Sequence, residues 1–225
     1  MSYGQDLPWG LQPTRSLGAS TWNGQVNSYL IKSGYTNNIF KGDPVVVAGA
    51  NDAGGTFTGY LISIYDVAAN AFNTAATFGI FDGCAYITDT ANNPIDPASP
   101  GRQFWPNGTR TLNGVPAIGY VVDDPNTVFN VQSHNNPGIK QENVGAGATY
   151  FIPIIPTTTL VDGNTITGTS KVSIQNPARN VANTNVIIVG LVPSPPNPSI
   201  DGAAFNNAEV LIQNHQYTQR AAIRT

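Results

Sequence analysis

The sequence predicts an all-β fold, built from short-stranded β-barrel or β-sandwich lobes with an extended N-terminal arm. Three observations lead to this class. Helical periodicity is nearly absent, glycine and proline interrupt the chain every several residues, and short runs of β-branched and aromatic residues lie between them. The 23 Gly and 17 Pro residues in 225 positions break long helices. The best remaining helix candidate is the short segment 203–207.

The N-terminal segment, residues 1–27, has no alternating pattern and is interpreted as the extended arm. It contains Trp9 and Trp22, two of the three tryptophans of the chain. An arm with large aromatic side chains and no pattern of its own buries them against another surface. Two interpretations remain open: the tryptophans cap the core of their own chain, or they dock on a neighbouring subunit.

Two β lobes are predicted to follow the arm, residues 28–133 and residues 134–225, with a boundary that allows the lobes to be intertwined. The turn-rich stretch 134–147 marks this boundary. A continuous apolar run, VIIVGLV at residues 186–192, predicts a strand buried on both faces, and the Pro-rich loop 193–198 follows it. The strand candidates are residues 29–31, 44–47, 60–65, 78–87, 117–122, 129–132, 149–152, 171–174, 186–192 and 209–217.

The composition favours a protein that is packed against neighbours. Hydrophobic residues make up 40% of the chain and charged residues only 10%, against roughly 25% charged residues in an ordinary domain. The net charge of -3 comes without a basic cluster, so we predict no nucleic-acid partner. No apolar run approaches the ~20 residues of a membrane span, and the first residues lack the features of a secretion signal.

Candidates for catalytic chemistry or metal binding are few. Cys84 is the only cysteine, and His134 and His215 are the only histidines. A single cysteine forms no disulfide within the chain, which fits synthesis in a reducing cytoplasm. A lone cysteine in a strand is more often a small buried hydrophobe than a nucleophile. A structural zinc site needs about four nitrogen or sulfur ligands, so we predict no metal, cofactor or catalytic residue.

The carboxylates leave two alternatives open. A glycosidase-like hydrolase needs two converging carboxylates, and Asp123 with Asp124 is the best local pair. Adjacent strand residues point to opposite faces, and the sequence Asp-Asp-Pro-Asn is more typical of a turn. Asp82 and Asp162, each followed by glycine, also have turn contexts. A calcium site built from loop carboxylates is the other alternative, although the strict loop pattern is missing.

Several segments resemble, in their order and spacing, those of capsid decoration, cement or head-stabilising proteins of tailed bacteriophages. The resemblance covers residues 79–132 most closely and the last third of the chain loosely. No single segment is a mechanistic fingerprint. The segments are GIFDGCAY at 79–86, FWPNGT at 104–109, AIGYVVDDP at 117–125, FNVQ at 129–132 and VLIQNHQ at 210–216.

The resemblance implies a non-enzymatic virion protein on the outer surface of the assembled capsid. It implies the major capsid protein as partner and self-association as a dimer or trimer. We predict subunit or capsid contacts at Trp9, Trp22, Tyr29 and Trp105. The alternative function is a host- or glycan-binding module of a phage tail or fibre, using exposed aromatic side chains such as Trp105 or Tyr86.

Overall fold

The computed structural model describes most of the chain as strands and the turns between them. The described residues are 7–18, 20–48, 60–63, 77–88, 102–134, 138–148, 150–151, 163–175, 184–192, 201–215 and 217. Within these ranges no helix is long and apolar enough to cross a membrane. The Pro-rich loop 193–198 and the loop 89–101 lie outside the described residues.

Sixteen strands are present in this part of the chain, and most are short. Two 3-10 turns, Leu112–Gly114 and Gln141–Asn143, accompany them. In chain order the strands are β1 (Gln12–Ser16), β2 (Asn27–Ile31), β3 (Ile39–Phe40), β4 (Pro44–Ala48), β5 (Tyr60–Ser63), β6 (Gly79–Ala85), β7 (Phe104–Trp105), β8 (Ala117–Val122), β9 (Thr127–Gln132), β10 (Gly147–Ala148), β11 (Tyr150–Phe151), β12 (Gly163–Asn164), β13 (Thr169–Ser170), β14 (Ser173–Ile174), β15 (Val186–Val192) and β16 (Asn207–Ile212).

Five strands close into a small barrel in the order β2-β5-β4-β6-β8. Its contacts are antiparallel except for the parallel pairing of Leu30 with Tyr60, which joins β2 to β5. The barrel interior is filled by apolar side chains, because alternate residues of each strand point inward. This interior cluster consists of Ile31, Ile39, Val45, Phe78, Phe81, Cys84, Trp105, Ala117 and Val121.

A second sheet has the order β1-β9-β16-β15-β10 and is antiparallel throughout. Its central strands β16 and β15 pair over six positions, from Val186 with Ile212 to Val192 with Asn207. β16 alternates half-buried and buried residues along its length. This alternation is typical of an antiparallel sheet with one face on a core.

The outer wall of the barrel packs on this sheet. Val45 and Val121 belong to the barrel interior, whereas their neighbours Val46 and Val122 belong to a second core cluster with Phe129 and other sheet residues. Neighbouring strand residues point to opposite faces, so both faces are buried where these strands meet the sheet, at Val45 and Val46 of β4 and at Val121 and Val122 of β8. The barrel and the five-stranded sheet therefore share one continuous hydrophobic junction.

Gly83 lets the segment before β7 lie against β6. The pairing of β6 with β8 shifts between Phe81 and Gly83, so the Asp82–Gly83 pair forms a bulge within a strand rather than the predicted turn. Gly83 has φ +146, and a Cβ there would lie 2.7 Å from the carbonyl oxygen of Arg102. The amides of Cys84 and Arg102 donate to each other's carbonyls at 2.8 and 2.7 Å.

The all-β class with barrel and sandwich-like sheets is confirmed, and most predicted strands are present. The segment 203–207 is not a helix, since it forms turns that lead into β16. The prediction that residues 186–192 are buried on both faces was wrong. Only Val186 and Ile188 of β15 are buried, and the other five residues of the strand are half-buried.

Strands from both sides of residue 134 form the five-stranded sheet. β9, residues 127–132, belongs to the five-stranded sheet and not to the barrel. The arm also contributes to that sheet, since Gln12 to Ser16 of β1 pair with β9. The chain therefore passes from barrel to sheet between β8 and β9, at the turn that contains Asp123 and Asp124.

Candidate functional site

The four predicted contact residues lie in three different environments. Trp9 and Trp22 are half-buried, and Trp22 packs against the core cluster shared by the barrel and the sheet. Tyr29 packs against the barrel interior, and Trp105 is part of it. The structure therefore does not gather them into one surface. For Trp22, it favours the interpretation in which the arm caps the core of its own chain.

Trp105 is fully buried, which corrects its predicted role as a contact residue or glycan platform. Its indole Nε1 donates to the carbonyl oxygen of Tyr35 at 3.3 Å. Its ring meets Tyr86 edge-on, with centroids 4.9 Å apart. Trp105 lies on β7, where it pairs with Ile39 of β3, and it belongs to the cluster in the barrel interior. An inaccessible ring cannot itself touch another molecule.

Tyr86, the other aromatic residue considered for glycan binding, is half-buried. The guanidinium of Arg102 lies over its ring at 4.7 Å from the centroid, and Arg102 Nη1 lies 3.3 Å from the Tyr86 hydroxyl. This cation–π contact occupies one face of the ring. A sugar therefore cannot stack on that face without displacing Arg102.

Tyr29 takes part in a network centred on the buried carboxylate of Asp123. The side-chain amide of Asn27 donates to both carboxylate oxygens of Asp123 at 2.9 and 3.0 Å, and the Tyr29 hydroxyl donates to Oδ2. The Tyr29 and Tyr217 hydroxyl oxygens are 3.3 Å apart. Burial and the bond to Asp123 raise the pKa of Tyr29 far above its ordinary value. This network fastens the described end of the chain to the barrel.

Asp123 and Asp124 do not form a converging acid pair. Asp123 is 7% exposed and held by Asn27 and Tyr29. Asp124 is exposed, and its Oδ1 accepts from the backbone amide of Asn126 at 2.9 Å. That bond is typical of an Asx turn, so the turn interpretation of Asp-Asp-Pro-Asn is confirmed. The geometry gives no support to a two-carboxylate hydrolase here.

Cys84 and His215 are both buried. Burial raises the pKa of the Cys84 thiol to about 12. The thiol donates a hydrogen bond to the carbonyl oxygen of Phe104, with 3.4 Å between Sγ and O. Burial lowers the pKa of His215, opposed by the charges of Asp123 and Asp124. A thiol with so high a pKa is a poor nucleophile at neutral pH. Across the described ranges no cluster of three or more His, Cys, Asp or Glu residues is placed to hold a metal ion.

An apolar surface lies at one end of the barrel, and we call Ile87, Val115 and Ile118 the barrel-end patch. These side chains are 43%, 62% and 42% exposed. Ile118 pairs with Ala85 across β8 and β6, and the Leu112 amide donates to the Ile87 carbonyl at 2.9 Å. These bonds hold the three residues on neighbouring segments. The outward position of Ile118 was readable from the alternation in β8, whereas the Ile87 and Val115 positions depend on the 3-10 turn.

A small polar cavity lies where the end of the arm meets the turn between β8 and β9. Its volume is about 200 Å³, and its described lining includes Ser20, Thr21, Trp22, Asn23, Gln25 and Asp124. Sequence reasoning singled out Trp22 and Asp124 separately. It did not bring them together, because about a hundred residues separate them in the chain.

Comparison with known protein families, with curated protein sequences and with solved structures found no match for this chain.

Proposed function

We propose that this chain is a non-enzymatic structural protein of a tailed-phage virion, which binds the outer surface of the assembled capsid and stabilises it. The observation that carries the proposal is the barrel-end patch, on a chain with only 10% charged residues. Exposed apolar side chains grouped in this way are typical of protein interaction sites. The sequence resemblance supplies the kind of partner, the major capsid protein.

The mechanism is selective binding to the assembled shell. A protein that binds assembled capsomers but not free ones shifts the equilibrium toward the assembled state by mass action. Self-association as a dimer or trimer links several such contacts, and the linkage adds avidity. The location is then the capsid surface of the virion, after synthesis in the host cytoplasm. No nucleic-acid or membrane partner is needed.

The arm offers a second contact surface of the same kind. Leu7 and Leu17, which flank β1, are 63% and 52% exposed, and Trp9 is half-buried between them. Because β1 itself pairs with β9 of the same chain, the contact is made by these flanking side chains rather than by a strand added to a neighbour. Trp9 therefore remains a proposed contact residue, with the exposed Leu7 and Leu17 on the two sides of β1.

The proposal is tested by binding to preassembled tailed-phage shells that lack this protein. Val115→Lys combined with Ile118→Lys places two charges in the barrel-end patch, and we expect at least a tenfold loss of shell binding in co-sedimentation. Desolvating two unpaired ammonium groups at an interface disfavours the complex strongly. Both positions are exposed, so we expect the circular dichroism spectrum and thermal midpoint to stay close to those of the parent protein.

Val144→Lys provides the matched control, since Val144 is 37% exposed and follows the 3-10 turn of Gln141–Asn143. We expect it to bind shells like the parent protein. Equal binding of the patch variant and the parent would contradict the assignment of the patch. Failure of the parent protein to bind any such shell, or to raise the temperature at which the shell disassembles, would contradict the capsid function itself.

A further inference from the structure

We propose that the polar cavity beside Trp22 is a binding site for a neutral saccharide, taking a single sugar unit of a glycan. The cavity lies between residues 20–25 and the turn that begins at Asp124. The residues of this site differ from Trp105 and Tyr86, the aromatic side chains that the sequence suggested for glycan binding. It does not depend on the capsid function, because a virion protein and a tail module could each carry such a site.

The walls of the cavity are held by backbone hydrogen bonds. The Trp22 amide donates to the Thr14 carbonyl at 3.2 Å, and the Ser16 amide donates to the Ser20 carbonyl at 2.9 Å. On the opposite side, the Thr127 amide donates to the Asp124 carbonyl at 3.0 Å. Trp22 also packs against the shared core. A site fixed in this way loses little conformational entropy when a ligand binds.

The side chains match the chemistry of a polyol. Asn126 donates to Oδ1 of Asp124 through its backbone amide at 2.9 Å and its side chain at 3.3 Å. Among the described residues, this carboxylate accepts from no other donor, so Oδ2 is available to a ligand hydroxyl. A hydroxyl donating to a carboxylate makes a charge-assisted bond, roughly twice as strong as a neutral one. Thr21, Asn23 and Gln25 add neutral donors and acceptors.

The charge and size of the cavity exclude other ligand classes. No Lys or Arg is among its described lining residues, and the charged group there is the Asp124 carboxylate, which repels an anionic ligand. A divalent cation such as calcium takes six to eight oxygen ligands with several carboxylates, and this cavity offers one. A volume of about 200 Å³ is below the ~300–1,000 Å³ typical of drug-sized ligands. It suits one small polar ring lying against the apolar indole of Trp22.

The test is a titration of the isotope-labelled full chain with methyl glycosides of glucose, galactose, mannose and N-acetylglucosamine, followed by NMR. We expect at least one glycoside to shift the amide signals of residues 20–25 and 124–127 and the indole signal of Trp22, with a millimolar Kd. Asp124→Asn keeps the Oδ1 acceptor that caps the turn and removes the charge at Oδ2. We therefore expect it to weaken binding about tenfold, or about 1.4 kcal/mol, without unfolding the protein.

Asp201→Asn is the matched control. Asp201 is also exposed, and it accepts from the Gln141 amide at 2.7 Å, away from the cavity. This variant should bind like the parent protein. The proposal is overturned if no glycoside shifts these signals, if Asp124→Asn binds as tightly as the parent, or if calcium chloride alone produces the same shifts. Shell binding is measured separately, so loss of either function leaves the other proposal standing.

Discussion

Asp43 is a carboxyl group buried inside the protein at the turn between β3 and β4. It is 0% exposed. Its Oδ2 accepts from the Phe40 amide at 2.7 Å, while Oδ1 has no hydrogen-bond partner within the described structure. Burial raises the pKa of Asp43 to about 7, and the bonds from Ser170 and Phe40 oppose this rise. The protonated acid is therefore the form that the interior prefers.

This carboxyl group makes the stability of the protein fall as pH rises. Well below pH 4, the folded and unfolded chains both carry the proton. Between there and the folded pKa of about 7, the unfolded chain loses the proton first, so the free energy of unfolding decreases. A difference of about three pH units sets a limit of about 4 kcal/mol. Asp43→Asn removes the ionisation, and we expect it to be roughly 1–3 kcal/mol more stable than the parent at pH 8.

Urea denaturation at pH 5 and pH 8 measures this effect. Glu142→Gln is the control, because Glu142 is exposed and its contact with Lys140 is long, at 3.7 Å. We expect that variant to keep the pH dependence of the parent protein. If Asp43→Asn shows the same fall in stability between the two pH values as the parent, the ionisation of Asp43 is not its source.

At the scale of elements, β1 is the strand that ties the arm to the rest of the molecule. It pairs with β9, Arg15 makes a 2.6 Å ion pair with Glu209 on β16, and Leu11 just before it is 1% exposed. Deleting residues 1–16 removes these contacts and exposes an edge of β9, which is a template for aggregation. We expect a loss of about 2–4 kcal/mol in the free energy of unfolding and concentration-dependent aggregation in light scattering.

Leu17→Ala is the control, because Leu17 directly follows β1 and its side chain is 52% exposed. That variant should retain the stability of the parent protein. A deletion of residues 1–16 that unfolds at the same urea concentration would show that β1 adds nothing to the fold. That result would favour the interpretation in which the arm docks on a neighbouring subunit.

The strands that could be predicted differ physically from those that could not. β8 and β15 are rich in Val and Ile, so propensity and pattern both indicated them. β1 has the sequence QPTRS, which contains no apolar alternation. Its pairing shifts between Pro13 and Arg15, as expected of an edge strand that accommodates a proline. The strand forms because β9 pairs with it, and the sequence of residues 12–16 alone does not indicate this pairing.

The candidate sites also separate into features that the local sequence predicts and features that depend on contacts between distant segments. The turn at Asp124 follows from Asp-Asp-Pro-Asn, and its Asx bond to Asn126 confirms it. The cavity with Trp22 could not be predicted, because it forms only when β1 lies beside β9. Trp105 was misplaced at the surface because its burial depends on the pairing of β7 with β3, a contact between distant segments. Contacts between distant segments therefore decide which of the predicted side chains remain accessible.

At the scale of the whole molecule, the barrel and the five-stranded sheet are joined through one core cluster. That cluster combines Val46 and Val122 of the barrel with Ile188 and Val210 of the sheet. Close-packed interiors transmit the loss of even a few methyl groups to their neighbours. Because the cluster includes residues of both sheets, we predict that they unfold as one cooperative unit and not as two separate domains.

Ile188→Ala tests this prediction, since Ile188 is fully buried on the sheet side. We expect a loss of about 2–5 kcal/mol in the free energy of unfolding. Amide hydrogen exchange, measured by mass spectrometry, should then become faster by the same factor in peptides from β15 and β16 and in peptides from the barrel strands β6 and β8. Ile166→Ala is the control, because Ile166 is 95% exposed at the turn between β12 and β13 and should change neither. Faster exchange in the sheet with unchanged barrel strands would mean that the two halves are independent domains. Binding at the barrel-end patch would then stabilise the barrel alone, and it would not protect the five-stranded sheet against unfolding.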